Sequence, residues 1–180
     1  MEDNLQAHTS LVHQAQQGNT AAIEALYRQY SKAMYNVCTR MMGEKNGAED
    51  VLQDSFIMAF KNLQQLKEAA QFGGWLKRIV LNECIRQGKK KNSWTEWDDD
   101  QHDMQDTDET SWWDAVEMAE IHAQIKALPD GCRQVFTLFA IENYSHKHIA
   151  VSVGISESTS KSQYHRAKQL LKERLLKNRV

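Results

Sequence analysis

A single proline in 180 residues, Pro129, leaves the backbone almost free to run as helix. Proline is the one residue that both removes a backbone donor and clashes with the preceding turn. Only eight glycines accompany it, and the strict apolar-polar alternation of half-buried strands is scarce. Apolar residues instead recur three and four positions apart. The expected fold is all-α: two small helical domains joined by an acidic linker, the C-terminal one containing a helix-turn-helix. A hydrophobic content of 41% is enough for modest packed cores.

The most legible stretch is residues 144–171, YSHKHIAVSVGISESTSKSQYHRAKQLL. Ser145 is placed to cap a short helix carrying Ile149, Ala150 and Val153, and Gly154 supplies the positive φ of a sharp reversal. Ile155 staples the turn, Ser156 caps a second helix, and Tyr164, Ala167 and Leu171 recur on its inward face. Ser158, Thr159, Lys161, Ser162, His165 and Arg166 are then left facing outward. Small hydroxyls and cations suit a helix in the major groove, where cations reach phosphates or guanine edges and hydroxyls approach closely. A plain helical hairpin with a solvated basic face is the competing reading. Ser160 falls at an inward position and is expected to bond back to a carbonyl one turn earlier.

Upstream, residues 5–17 form a short helix closed by Gly18, and Asn19 caps a longer one. Its apolar stripe is Ile23, Leu26, Tyr27, Tyr30, Ala33, Met34, Val37, Cys38 and Met41, ending at Gly43. Asn46 with Glu49 is a capping-box pattern opening a helix whose inward positions are Val51, Leu52, Phe56, Ala59, Phe60 and Leu63. Its other face carries Asp50, Gln53 and Asp54, either as complements to the helix dipole or as acceptors for basic residues of a partner helix. A third helix starts at Phe72-Gly73-Gly74-Trp75, with Leu76, Ile79, Val80 and Cys84 inward. Arg78, Asn82 and Arg86 share one stripe, and Lys77, Lys89, Lys90 and Lys91 extend its positive field. That surface suits nucleic acid, since an amide makes paired bonds to a base edge that a cation alone cannot. An ordinary solvated helix is the alternative.

The formal net charge of -2 conceals a sorting of charges along the chain. Residues 1–93 hold twelve Lys and Arg against nine Asp and Glu, residues 94–120 hold none against eleven, and residues 121–180 hold ten against four. Two basic blocks flank an acidic connector, as expected of a chain that binds a polyanion at both ends. Trp94, Trp97, Trp112 and Trp113 bracket the acids and are expected to pack on a domain or partner. Asp98, Asp99 and Asp100 are consecutive and lack a fixed scaffold, so no metal or cofactor is expected, although a metal-dependent nuclease using these acids stays a rival reading. Beyond the connector, Ile121, Ile125 and Leu128 form a stripe broken at Pro129, and Asp130 to Ile141 makes a helix with Val135, Phe136 and Phe139 inward. Cys38, Cys84 and Cys132 are widely separated within apolar patterns and read as buried free thiols. No apolar run approaches the roughly 20 residues that span a bilayer, and no signal-peptide pattern opens the chain, so a cytoplasmic protein without membrane insertion is expected.

The order of these motifs resembles the extracytoplasmic-function subfamily of the bacterial sigma-70 factors over nearly the whole chain. Ala48 to Leu63, AEDVLQDSFIMAFKNL, is similar to that family's polymerase-binding helix, and Phe72 to Asn82, FGGWLKRIVLN, to its -10 segment. LPDGCRQVF at 128–136, followed by YSHKHIAVSVGIS and KSQYHRAK, resembles region 4. The resemblance implies a region 2 domain at 1–93, an acidic Trp-containing linker at 94–117 and a region 4 domain at 118–180. It implies a sigma factor without catalysis of its own, which binds core RNA polymerase and promoter DNA and is held by an anti-sigma factor. Carried over by position, Asp50, Gln53 and Asp54 meet the polymerase, and Asn82 receives a flipped -10 base with Arg78, Arg86 and Lys89 nearby. Ser158, Thr159, Lys161, Ser162, His165 and Arg166 face the -35 groove. Three departures stand out: Arg86 occupies a position where the family often has Asp, His148 stands where the capping box at Ser145 calls for an acid, and Ser160 falls where an aliphatic residue is usual. The alternative function is an autonomous repressor or activator using the same helix-turn-helix, although nothing in the sequence reads as a dimer zipper.

Overall fold

A computed structural model describes residues 2–43, 45–90 and 118–177. Every described element is helical, and the chain divides into two compact units, Met1–Thr39 with Lys45–Arg86, and Arg40–Glu44 with Gln87–Val180.

The first unit is built from α1 (Glu2–Gln16), α2 (Thr20–Met42), α3 (Lys45–Lys61) and α4 (Phe72–Lys90), with short 3-10 turns at Leu63–Gln65 and Ala69–Gln71. The expected stops are present: Gly18 and Gly43 have positive φ, and Asn19 Oδ1 accepts the Ala22 N–H at 3.2 Å. α3 opens at Lys45, one residue ahead of the Asn46 that the sequence marks as its cap. Val12, Leu26, Val51, Phe72, Leu76 and Leu81 form the fully buried centre. Phe72 packs edge-on against Tyr30 at 5.2 Å, and a Cβ on Gly73 would sit 2.9 Å from the Tyr30 ring, so only glycine admits this approach. Burial raises the Tyr30 phenol above its ordinary value. The connection between α3 and α4 is braced by Gln16, whose amide donates to the carbonyls of Leu63 and Leu66 at 3.1 and 3.0 Å.

In the second unit, α5 (Met118–Lys126), α6 (Asp130–Phe136), α7 (His146–Val153) and α8 (Glu157–Lys177) surround Ile125, Leu128, Cys132, Phe136, Ala167, Leu171 and Leu175. The helix expected to run unbroken to Ile141 widens into a π-helical turn over Thr137–Ile141. The wider turn takes up an extra residue, so Thr137 and Leu138 fill the interior while Phe139 moves to a half-buried position. Arg133 is buried with its charge satisfied, donating to the Leu128 carbonyl at 2.8 Å and to Asp130 at 2.5 Å.

Candidate nucleic-acid and partner interfaces

The helix-turn-helix forms as its residue types demand. Ser145 stands in extended backbone and accepts the His148 N–H at 3.2 Å, so it caps α7. Gly154 closes α7 at φ 86 and ψ 37, a left-handed conformation that a side chain with a Cβ rarely adopts. Ser156 accepts the Thr159 N–H at 2.9 Å and opens α8. On α8, Ser158 and Lys161 are exposed, whereas Thr159, Ser162, His165 and Arg166 are half-buried rather than fully outward. Much of this surface is already hydrogen-bonded within the helix. Lys161 pairs with Glu157 at 3.0 Å, the Ser156 hydroxyl meets those of Ser158 and Thr159, Ser162 donates to the Ser158 carbonyl, and His165 meets Gln169 at 3.1 Å. Arg166 lies close enough to α6 for its charge partly to offset the burial that raises the Cys132 thiol. Ser160 does not bond back to a carbonyl; its hydroxyl meets His146 Nδ1 on α7 at 2.9 Å, because α7 crosses α8 at that point.

On α4, Arg78, Asn82, Arg86 and Lys89 are all exposed. Asn82 stands out between two buried neighbours, Leu81 and Glu83, so its amide projects from an anchored backbone. Glu83 has no part in the stripe that the sequence marks. Its side chain is 2% exposed, and both its carboxylate oxygens accept from Arg86, through Nε at 2.8 Å and through a second, shorter bond. That hydrogen bond, then the Glu83 charge, raises the Arg86 guanidinium above its ordinary value. Two of its five N–H donors are taken, leaving the others for an outside anion. The i,i+3 spacing of Glu83 and Arg86 is a sequence signal for such a pair. Nothing local reveals that the carboxylate is buried.

On α3, Asp50, Gln53 and Asp54 are exposed, and the same face continues into Ile57 and Met58, 46% and 41% exposed. Tyr27, expected inside, is 43% exposed and lays its ring edge-on against Phe56 at 4.8 Å, and Ala33 is likewise at the surface. A helix stripe that places two carboxylates and an amide beside exposed aliphatic and thioether side chains is suited to a protein partner with cations at its rim.

Cys38, Cys84 and Cys132 are free and buried. Cys38 and Cys84, distant in sequence, come together, and the hydrogen bond between them, with burial, holds the Cys84 thiol well above its usual range. Among the described residues no group of three or more His, Cys, Asp or Glu is arranged to hold a metal ion, and no helix is long and apolar enough to cross a membrane. The acidic connector and its tryptophans, residues 94–117, lie outside the described residues, as does Lys91.

Comparison with known proteins matches residues 26–95 to Sigma-70 region 2 and residues 118–171 to Sigma-70 region 4. Over 169 residues the chain is 30% identical to ECF RNA polymerase sigma factor SigE of Mycolicibacterium smegmatis, covering 89% of this chain and 65% of that longer relative. It is 28% identical to ECF RNA polymerase sigma factor SigW of Bacillus subtilis, covering 91% of this chain and 94% of the relative. This chain belongs to the extracytoplasmic-function subfamily of the sigma-70 factors. The fold agrees with the sigma factor RpoE of Bartonella quintana, solved in complex with the anti-sigma factor NepR, at a TM-score of 0.50 and 20% identity over 86% of this chain and 96% of that one. As a sigma factor the chain binds core RNA polymerase and directs promoter-specific transcription initiation. The three surfaces on α3, α4 and α8 lie within the two matched regions.

Proposed function

We propose that this sigma factor divides initiation among those surfaces, with residues 1–93 engaging core polymerase and the -10 element, 94–117 as the linker, and 118–180 engaging the -35 element. Asp50, Gln53 and Asp54 offer the polymerase a stripe of acceptors, and Ile57 and Met58 extend it with apolar area. Arg78 and Lys89 hold phosphates, Arg86 does so with the donors Glu83 leaves unused, and Asn82 bonds a base that has left the stack. Lys161 and Arg166 engage phosphates or base edges, with Ser158, Thr159, Ser162 and His165 at close range in the major groove. Unstacking one base costs a few kcal/mol, and capturing it offsets that cost, so opening proceeds without ATP and without catalysis by the sigma factor itself. Its place of action is the cytoplasm, with core polymerase. An anti-sigma factor covering the α3 stripe or the basic faces is the proposed protein antagonist.

The observation that carries this reading is the exposed Asn82 amide on a stripe with Arg78 and Arg86, rooted between buried Leu81 and Glu83. Run-off transcription with purified core polymerase on a genomic promoter library tests it. Discrete start sites that depend on this chain and share two spaced elements are expected. Transcription no different from core polymerase alone would overturn it.

A further inference from the structure

Helix α7 has eight residues, of which Ile149 and Val153 are buried. An apolar stripe about 100° wide sets which face of a helix is buried, but its non-directional contacts define the rotation about the helix axis only coarsely. The His146 ring supplies a direction. It is the first residue of α7, directly after the Ser145 cap, and its Nδ1 meets the fully buried Ser160 hydroxyl at 2.9 Å. One face of the ring stacks on Phe139 with centroids 4.1 Å apart and planes 12° apart. Tyr164, one turn beyond Ser160 on α8, packs on Phe139 at 4.6 Å and on the His146 ring at 5.8 Å. Phe139 reaches this place from the π-helical turn, an irregularity more frequent at functional sites than elsewhere. The ring is thus held by face and by edge, and Ser160 lies between Thr159 and Lys161, which the proposed function turns toward DNA.

We propose that His146 is a positioning residue for promoter recognition: through Ser160 it sets the rotation of α8, and so decides how selectively that helix reads the -35 element rather than how strongly the domain holds DNA. The proposal rests on α8 being the DNA-facing helix. Turning a helix by about 20° moves side-chain tips on its surface by about 2 Å. Such a displacement breaks a hydrogen bond to a base edge, which tolerates only a few tenths of an ångström. Phosphate attraction tolerates it, because charge acts over a Debye length of about 8 Å at physiological salt.

The experiment uses the full chain in holoenzyme with core polymerase. The probes are two duplex promoters that differ only in the -35 element, one taken from a promoter that the parent holoenzyme transcribes in the run-off experiment and one scrambled. Three full-chain variants are compared. Ser160→Val fills the site without a hydrogen bond, His146→Phe keeps the stack and removes the bond, and His146→Asn keeps a bonding group at the Nδ1 position and removes the stack. Ser160→Val and His146→Phe are expected to reduce the preference for the matched duplex by about tenfold, through the matched duplex alone, as for loss of one good base contact. His146→Asn is expected to restore most of the preference. An unchanged preference in Ser160→Val and His146→Phe overturns the proposal. So does an equal loss on both duplexes, or a His146→Asn variant no better than His146→Phe. If Ser160→Val does not fold, as read by thermal unfolding, the two His146 variants decide by the same criteria. A parent holoenzyme that binds the two duplexes equally removes the DNA-facing reading of α8 and the proposal with it; a discriminating parent with unaffected variants removes the proposal alone.

Discussion

Helices α4 and α8 both turn a polar stripe outward, and they anchor it by opposite means. On α4 the anchor is ionic, a buried Glu83 carboxylate gripping the half-exposed Arg86. On α8 it is a hydrogen bond between a buried Ser160 hydroxyl and the His146 ring. The difference lies in what happens when the anchor fails. Removing Arg86 takes two charge-assisted hydrogen bonds from a carboxylate that lies in a poorly solvated place, where a charge is costly to hold. Removing one partner of a hydrogen bond leaves a polar group whose burial costs about 1–3 kcal/mol. The α4 surface is therefore built to be constant, and the α8 surface can be retuned by substitution without loss of the domain.

An outside reference for this comparison is α3, whose acid and apolar stripe is proposed to meet core polymerase rather than DNA. Asp50→Lys with Asp54→Lys is expected to weaken core polymerase binding by about a hundredfold or more, since like charges brought together across an interface cost several kcal/mol. Circular dichroism and thermal unfolding should stay close to the parent. A double variant that unfolds yet binds core in proportion to its folded fraction would make these carboxylates structural, and α3 would then resemble α4 rather than contrast with it.

The next effect bears on the ionic anchor itself. Arg86→Ala should lower the thermal midpoint, because the buried Glu83 carboxylate loses the two hydrogen bonds it accepts from Arg86, whereas Arg78→Ala on the same stripe should barely move it. Equal midpoints for the two variants would show that Arg86 is only a surface cation. Asn82→Ala should leave closed-complex formation intact and reduce open-complex yield by about tenfold or more, with partial rescue on templates carrying a pre-melted bubble, given an unstacking cost of a few kcal/mol. The same deficit on closed and bubble templates would remove the captured base from the mechanism.

Two smaller effects belong to the second unit. Arg166→Ala should weaken -35 duplex binding by about 1–3 kcal/mol if it reads a base, or lower the salt slope by about one if it contacts phosphate. A titration across salt concentrations separates the two, and no change in either places Arg166 with α6. Ser145→Ala should cost about 1 kcal/mol of stability through the lost α7 cap, measured by chemical denaturation. A change much larger than that would mean that the cap also orders the His146 ring beside it.

What could be read in advance depended on how far apart the interacting residues lie in the chain. The Ser145 and Ser156 caps and the Gly154 reversal are interactions within three or four residues, so residue type and spacing carry them. Ile57, Met58 and Tyr27 were less legible. They are apolar and sit at helical spacing, and nothing local distinguishes an apolar residue facing its own core from one facing outward. The start of α3 was legible to within a residue: the sequence marks Asn46 and the helix opens at Lys45.

The sequence by itself determined an all-helical chain, its principal stops, and an Arg78, Asn82 and Arg86 stripe facing one way, because backbone preference and 3.6-residue periodicity act locally. Only tertiary structure decided that Glu83 is buried beneath Arg86 and that Cys38 meets Cys84. It also decided that the π-helical turn delivers Phe139 to His146, and that Ser160 bonds a residue fourteen positions away instead of its own helix. A polar side chain at an inward position must find a partner once water is removed, but which partner is within reach depends on how the helices cross.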